Sequence, residues 1–209
     1  SVGSTLYYVM LSQVGTGTPS NDLVVYKSDD KVTWTVADTY AAAGPPLSTG
    51  LSQDCAACLV GDQIYIIGVL IDVTGPVELK LIIHIFDTVS ETFQADSSIG
   101  PSQGGAGQQL WSISPWNSGQ LLVSYTTTSP AFKVVNYNPG TDTWGSSTTI
   151  RSDNSKSVQQ IHDPGSDLAF VFFQRQTSAD LRCATVDETL AFDDALVDTL
   201  SSASFIARV

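Results

Sequence analysis

One pattern of strands and turns recurs four times along the chain. Each copy contains two short stretches of β-branched and aromatic residues, then a turn that carries Asp or Asn, and then a large aromatic residue. These aromatic residues are Trp34, Phe93, Trp144 and Phe192, at spacings of 59, 51 and 48 residues. A repeat of this length cannot bury its apolar residues alone, so the copies must stack on one another. Helical periodicity is nearly absent, and the pattern therefore predicts an all-β fold of four similar units.

The repeat length predicts the architecture more closely. The units span about 1–53, 54–103, 104–156 and 157–200, which is the period of a four-stranded blade in a β-propeller. Segments rich in small residues open the second, third and fourth units at 54–60, 104–113 and 157–161, where strands would crowd around a central axis.

The first unit has no such segment, whereas 201–209 supplies one at the other end of the chain. We therefore expect a single β-propeller domain over 1–209, with about four blades. In this arrangement 201–209 pairs beside 5–11 in the first blade and removes a sheet edge. Two alternatives stay open: a piece of a larger or oligomer-completed ring, and a β-sandwich or another all-β fold.

Three segments carry a resemblance to known repeats. Residues 137–144 read Tyr-Asn-Pro-Gly-Thr-Asp-Thr-Trp, which resembles the end of a kelch repeat, and 64–68 resembles the kelch strand that leads to a glycine pair, with Gly68 alone present. Residues 28–34 are similar to the Asp-box of sialidase-like propellers, one residue short and without its glycine. The resemblance implies a propeller but no particular activity, since propellers include lectins, enzymes and scaffolds.

Charge and composition exclude several classes of function. The chain has 21 acidic and 9 basic residues, a net charge of −12, and it is rich in Ser (26) and Thr (21). Nucleic-acid binding needs a basic surface that nine scattered cations do not make. The longest apolar run, 64–71, is too short to span a bilayer, so we expect no membrane insertion. The Ser/Thr-rich, Lys-poor composition favours an extracellular or particle-surface protein.

The three cysteines, Cys55, Cys58 and Cys183, leave two interpretations open beside the main one. The Cys55–Cys58 spacing is that of redox and zinc motifs, but a zinc site needs two further ligands, and no second paired motif supplies them. We expect small buried strand residues, with a Cys55–Cys58 disulfide and a metal site as the alternatives.

Several polar residues have a structural explanation. Asp29, Asp30, Asp87, Asn138 and Asp187 occupy the same turn in each unit, where their side chains would accept hydrogen bonds from backbone N–H groups. His84, within an apolar strand, and His162, before a turn, are interpreted as structural or surface residues.

No catalytic residues are predicted. The acidic pairs Asp29–Asp30, Asp187–Glu188 and Asp193–Asp194 are neighbours in sequence, and neighbours in a strand point to opposite faces, so they do not form acid–base pairs. The arginines, Arg151, Arg175, Arg182 and Arg208, show no sign of convergence. No cofactor is expected, although Asp29–Asp30 and Asp193–Asp194 are candidate calcium ligands.

The candidate ligand-binding residues are Trp111, Trp116 and Asn117. Residues 116–119 follow Pro115 as a loop, and an exposed indole beside amide and hydroxyl groups could stack on a sugar ring and bind its hydroxyls. The leading hypothesis is a non-catalytic extracellular recognition module that binds a glycan or a protein through its loops. The alternatives are a self-assembling structural subunit of a virion, surface layer or filament and, third, a glycosidase-like enzyme.

Overall fold

The computed structural model describes ten ranges of the chain: 2–14, 20–40, 55–72, 78–94, 98–104, 111–127, 131–152, 155–163, 165–175 and 180–199. In these ranges the backbone forms four antiparallel sheets and one short 3₁₀ turn, Asn117–Gly119. None of the described helical structure is long and apolar enough to cross a bilayer. The chain divides into two compact units, Ser1–Ala106 and Gly107–Val209, with two sheets in each.

The first unit holds eight described strands. The first sheet has the order β1-β2-β3. In the second sheet β4, β5 and β6 are consecutive, and the short β7 and the longer β8 both pair with β6. The strand bounds are β1 Leu6–Val14, β2 Ser20–Ser28, β3 Thr35–Tyr40, β4 Ala56–Val60, β5 Gln63–Asp72, β6 Glu78–Asp87, β7 Thr92–Phe93 and β8 Ser98–Gly104.

The second unit repeats this plan. In its first sheet β9, β10 and β11 are consecutive, and β12 and β13 both pair with β11; its second sheet has the order β14-β15-β16-β17. The strand bounds are β9 Trp111–Pro115, β10 Leu121–Thr127, β11 Ala131–Asn138, β12 Thr143–Trp144, β13 Thr148–Arg151, β14 Ser155–Asp163, β15 Leu168–Arg175, β16 Asp180–Val186 and β17 Phe192–Thr199.

Each predicted repeat corresponds to one sheet. The small-residue segments of the second, third and fourth repeats overlap β4, β9 and β14, and each of these strands is the first of its sheet. In the first sheet the described strands begin with β1. The segment 201–209, which was predicted to pair beside β1, lies outside the described residues. Closure by this segment, and the single-domain description of 1–209, stay predictions.

Alternation along the strands decides which side chains enter the core. In the first unit, the facing sides of the two sheets bury Leu23 and Val25 from β2 against Ile64, Ile66 and Phe86 from β5 and β6. Polar contacts join the same two sheets: the Asp38 carboxylate accepts a hydrogen bond from the Phe93 N–H at 2.8 Å, and Lys27 forms an ion pair with Glu91. The apolar burial provides the stability, and the polar contacts fix the alignment of the sheets.

The second unit has a larger core of the same kind. The side chains of Leu122, Phe132 and Val134 from one sheet pack with Val171 and Phe173 from the other. The Phe132 and Phe173 rings lie 4.8 Å apart between centroids, a tilted aromatic contact. These residues alternate with positions on the opposite faces, as a strand period of two requires.

In each repeat one Asp or Asn builds the turn at the end of the same long strand, which is β2, β6, β11 or β16. Asp30, Asp87 and Asp187 each accept hydrogen bonds from backbone N–H groups two to four residues further on, and the Asn138 side chain accepts one from Gly140. The structural interpretation of these residues is confirmed. In the first repeat the residue is Asp30, whereas Asp29 accepts a hydrogen bond from the Thr5 hydroxyl.

We expect Asp87→Ala to lower the melting temperature by several degrees. The Asp87 carboxylate accepts hydrogen bonds from the backbone N–H groups of Val89 at 2.9 Å and Ser90 at 2.8 Å, and the alanine variant would leave both without this acceptor. Asp87→Asn keeps an acceptor oxygen and serves as the matched control. Differential scanning calorimetry at neutral pH measures both, and equal melting temperatures for the two variants would contradict the assignment.

A buried histidine lies on the second sheet, at its contact with β3 of the first sheet. His84 on β6 is 3% exposed, and its ring centroid is 4.5 Å from that of Tyr40 on β3. Burial lowers the pKa of His84 to about 4, because desolvation penalises the charged imidazolium. The folded protein therefore keeps this side chain neutral at a pH at which the unfolded chain would protonate it.

This histidine makes the free energy of unfolding depend on pH. The unfolded chain binds a proton at His84 near pH 6.5 and the folded chain only near pH 4, so stability falls as the pH is lowered through this window. Between about pH 7 and pH 5 the expected loss is about 2 kcal/mol. Urea unfolding at several pH values measures it. In His84→Leu the loss over this interval should disappear, and an unchanged loss would show that other groups cause it.

Candidate functional site

A row of polar side chains that includes no Asp, Glu, Lys or Arg runs along the contact between the two sheets of the second unit. We call this row the polar track, and it consists of Ser112, Ser114, Asn117, Ser124, Gln160 and His162. Ser112 and Ser114 alternate with Trp111 and Ile113 on β9, and Ser124 on β10 is the cross-strand partner of Ser112. Gln160 and His162 come from β14, which packs beside β9.

Gln160 connects the two sheets at the middle of the track. Its side chain is 8% exposed, and its Nε2 donates hydrogen bonds to the Ser114 Oγ at 2.9 Å and to the backbone carbonyl of Leu122. Because a carbonyl oxygen can only accept, this contact fixes which end of the Gln160 amide carries the nitrogen. The Gln160 Oε1 is therefore presented as an acceptor within the track.

The outer end of the track lies at the loop between β9 and β10. The Trp116 N–H donates to the Gln120 carbonyl at 2.7 Å, and the Gln120 N–H donates to the Asn117 carbonyl at 3.1 Å, so the backbone closes the loop on itself. The Asn117 Oδ1 lies 3.3 Å from the Nε2 of His162, and both side chains are half-buried. This pair is the part of the track nearest to solvent.

Three polar atoms of the track are buried without a hydrogen-bond partner among the described residues. They are the Nδ2 of Asn117, the Oε1 of Gln160 and the Oγ of Ser124. An unpaired buried polar atom costs about 1–3 kcal/mol, whereas an apolar residue at the same place would cost nothing of this kind. The arrangement suits the binding of groups that donate and accept hydrogen bonds and carry no charge.

Of the residues predicted to bind a ligand, two lie at this site. Trp116 and Asn117 are at the outer end of the track, whereas Trp111 lies on the opposite face of β9, where it is 6% exposed. The expectation of an exposed Trp116 indole is wrong: this side chain is 5% exposed, belongs to the apolar core, and has its ring 5.5 Å from that of His162. A ligand-binding role for the three residues stays a prediction.

The sequence interpretation missed Gln160 and placed His162 among structural or surface residues. A signal for Gln160 was present in the sequence: it is separated by one residue from Val158, so an inward-facing Val158 places Gln160 on the buried face of the same strand. The sequence of one strand does not show which groups of another sheet lie opposite it, so the two acceptors of the Gln160 amide could not be predicted.

Two arginines converge in the second unit, which corrects the expectation that the arginines do not converge. Arg151 on β13 donates from Nη1 to the Asp194 Oδ2 at 2.6 Å, and Arg182 on β16 donates from Nε to the Asp194 Oδ1 at 2.7 Å. The three side chains are mostly buried, and they join β13 of one sheet to β16 and β17 of the other. Asp194 thus has a structural role in this contact, while its neighbour Asp193 is exposed.

The two neighbouring cysteines have separate surroundings. Cys55 has its Sγ 3.9 Å from the Val9 carbonyl, and burial raises the pKa of the Cys58 thiol to about 12, which keeps this thiol protonated. The two thiols are not joined to each other, and both side chains are half-buried, Cys58 within β4 and Cys55 directly before it. Within the described ranges, no three His, Cys, Asp or Glu side chains cluster as metal ligands would. Calcium binding stays a prediction.

Replacement of Asp194 should destabilise the second unit. Asp194→Ala would leave two largely buried guanidinium groups without their shared carboxylate, and we expect a loss of about 2 kcal/mol in the free energy of unfolding. Asp193→Ala, at the exposed neighbouring position, is the matched control and should leave stability unchanged. Chemical denaturation of both variants measures the difference, and an equal effect of the two would contradict the role of the arginine pair.

Comparisons with known structures identify the class of fold. No protein-family model and no curated protein sequence matches the chain. Among solved structures, a mutant of the Aleuria aurantia lectin in complex with Fucα1-6GlcNAc is similar, with a TM-score of 0.56 and 14% identity over 96% of this chain and 59% of that one. A bifunctional GH43-CE protein of Bacteroides eggerthii has a TM-score of 0.55 and 10% identity over 95% of this chain and 27% of its own.

A third structure, a protein of unknown function from Dyadobacter fermentans, has a TM-score of 0.57 and 13% identity, and covers 90% of this chain and 64% of its own. The chain thus spans less than two thirds of the length of each of these proteins. The lectin and the GH43-CE protein are propeller folds, and together with the four antiparallel sheets they confirm the predicted all-β propeller class. The kelch and Asp-box resemblance stays a prediction.

Proposed function

We propose that the protein is a non-catalytic recognition module that binds glycans outside the cell. One observation carries the proposal: a row of hydrogen-bonding side chains without Asp, Glu, Lys or Arg, several of them buried, leads to a partly exposed end at Asn117, in the β9–β10 loop, and His162, on β14. Sugar-binding sites combine such neutral donors and acceptors with aromatic side chains, and the Trp116 ring lies beside His162 at this place.

The likeness to solved structures supports the glycan part of the proposal. The Aleuria aurantia structure is that of a lectin with a bound fucosylated sugar. At 14% identity this likeness concerns the fold, and the residues of the polar track are this chain's own.

The use of the carboxylates supports recognition rather than catalysis. Backbone hydrogen bonds within their turns hold the pKa of the Asp30 and Asp87 carboxyls below its usual value, and the Thr189 hydroxyl, with backbone N–H groups, does the same for Asp187. Asp194 is bound by two arginines. A general acid in glycoside hydrolysis needs the opposite shift, because it must hold its proton near neutral pH.

An extracellular location is the remaining part of the proposal. The net charge of −12 and the high Ser and Thr content favour a protein that stays soluble at high local concentration. Neutral glycans would bind such an acidic surface without electrostatic repulsion, whereas acidic polymers would be repelled.

A glycan array with the whole chain tests the proposed function. We expect binding to at least one glycan, and at least tenfold weaker binding by Trp116→Phe, because the smaller ring keeps an aromatic residue in the core but loses part of the packing that holds His162 at the outer end of the track. Trp144→Phe is the matched control, since Trp144 packs on Tyr137 away from the polar track. Absence of binding to every glycan on the array would contradict the proposal.

A structural subunit that assembles with copies of itself is the second candidate function. The first repeat exposes Tyr8 by 57%, Val36 by 53% and Trp34 by 42%, and the Tyr8 and Trp34 rings are in edge contact with centroids 6.3 Å apart. Contiguous exposed apolar groups of this size mark association surfaces. Multi-angle light scattering over a range of concentrations distinguishes the two candidates, because a persistent monomer would contradict assembly.

A further inference from the structure

We propose that the polar track is the sugar-binding site of this protein and that its pattern of donors and acceptors selects uncharged sugars over acidic ones. This inference rests on the proposed function, since it names the site and the ligand class for the same recognition activity. It is carried by the buried polar atoms of the track that lack a partner, and by the hydrogen bonds that the other atoms of the same side chains already make.

The track is ordered from solvent inward. His162 and Asn117 form its outer level, Gln160 and Ser114 the middle level, and Ser112 and Ser124 the inner level. Successive levels are two strand residues apart, or about 7 Å. Each level holds one of the three unpartnered atoms: Asn117 Nδ2, Gln160 Oε1 and Ser124 Oγ. Unmet hydrogen-bonding capacity is therefore distributed along the whole track and is not confined to one side chain.

The contacts already made decide what each level can still bind. Both hydrogens of the Gln160 amide are used, by the Ser114 Oγ and the Leu122 carbonyl, so this side chain offers only an acceptor. The Asn117 Oδ1 faces the His162 Nε2, so the Asn117 side chain offers its Nδ2 as a donor. The Ser124 hydroxyl can do either. A ligand must therefore supply at least one donor and one acceptor.

Sugar hydroxyls and acetamido groups meet this requirement, because each is both a donor and an acceptor. A carboxylate supplies acceptors alone, and at the middle level it would face the Gln160 oxygen, where the track has no lysine or arginine to offset the lost hydration; the imidazole of His162 lies one level further out. The same pattern thus attracts neutral sugars and rejects acidic ones.

The outer level also provides the entry. Asn117 and His162 are half-buried, and Gly119 in the same loop is exposed. The 3.3 Å separation between Asn117 Oδ1 and His162 Nε2 is longer than a typical hydrogen bond, so a ligand hydroxyl could replace this contact at little cost. The buried Gln160 and Ser124 would then receive ligand groups, or waters that accompany them.

The test compares two isosteric variants of the whole chain. Asn117→Asp removes the Nδ2 donor and keeps the Oδ1, whereas Asn138→Asp makes the same change in a turn where the side chain only accepts a hydrogen bond. Calorimetric titration uses methyl glycosides of a neutral hexose, a 6-deoxyhexose, an N-acetylhexosamine and a uronic acid, together with any glycan bound on the array. We expect at least a tenfold loss of affinity in Asn117→Asp, none in Asn138→Asp, and at least tenfold weaker binding of the uronic acid than of the tightest neutral glycoside.

A second variant probes the inner level without threatening the fold. Ser124→Ala removes a buried hydroxyl that has no partner, so the melting temperature of the unliganded protein should stay the same or rise. Its affinity for the same glycosides should fall at least threefold, because the inner level then offers one fewer hydrogen bond.

The outcomes separate this inference from the proposed function. Glycan binding that is unchanged in both Asn117→Asp and Ser124→Ala would overturn the track as the site and leave glycan recognition standing. Uronic acid binding as tight as that of the neutral glycosides would overturn the selectivity. Absence of binding to any glycan, on the array or in solution, would overturn both proposals.

Discussion

The second unit depends on the burial of one sheet face against another. Leu122 and Val134 on one side and Val171 and Phe173 on the other are removed from water together, and each fully buried side chain of this size contributes about 1.5–3 kcal/mol. Neither sheet could bury these residues alone. The arginine pair on Asp194 and the bridge made by Gln160 have their geometry because the apolar contact holds the sheets at a fixed distance.

Polar groups at this contact divide into two kinds. Asp194 is matched by two guanidinium groups, and the turn carboxylates are matched by backbone N–H groups, so these residues stabilise the scaffold. In the polar track, Gln160 is matched on its donor side and unmatched on its acceptor side. A scaffold rarely keeps such unmatched groups, since they destabilise it, and this is why the track carries the functional proposal.

The repeat was sufficient to predict the class of fold and the turns. Each of the four sheets is marked by one large aromatic residue: Trp34, Phe93, Trp144 or Phe192. The Asp or Asn before each of them builds the turn as expected, because a turn depends on hydrogen bonds between residues that are close in sequence. The candidate site was predicted only in part. Asn117 was identified from its loop, but Trp116 was expected at the surface and is in the core, and the convergence of Arg151 and Arg182 was not foreseen.

By itself, the sequence determined the strands, the four-fold repetition and the turn residues, because these follow from the period of alternation and from contacts within a few residues. Only the tertiary structure decided which faces meet. Gln160 and Ser114 are 46 residues apart, as are His162 and Trp116, and a strand alone does not show what lies opposite its buried face. The packing of one sheet face against another sets the burial and the hydrogen-bond partners of each side chain. These in turn decide whether a tryptophan or a glutamine is structural or available to a ligand.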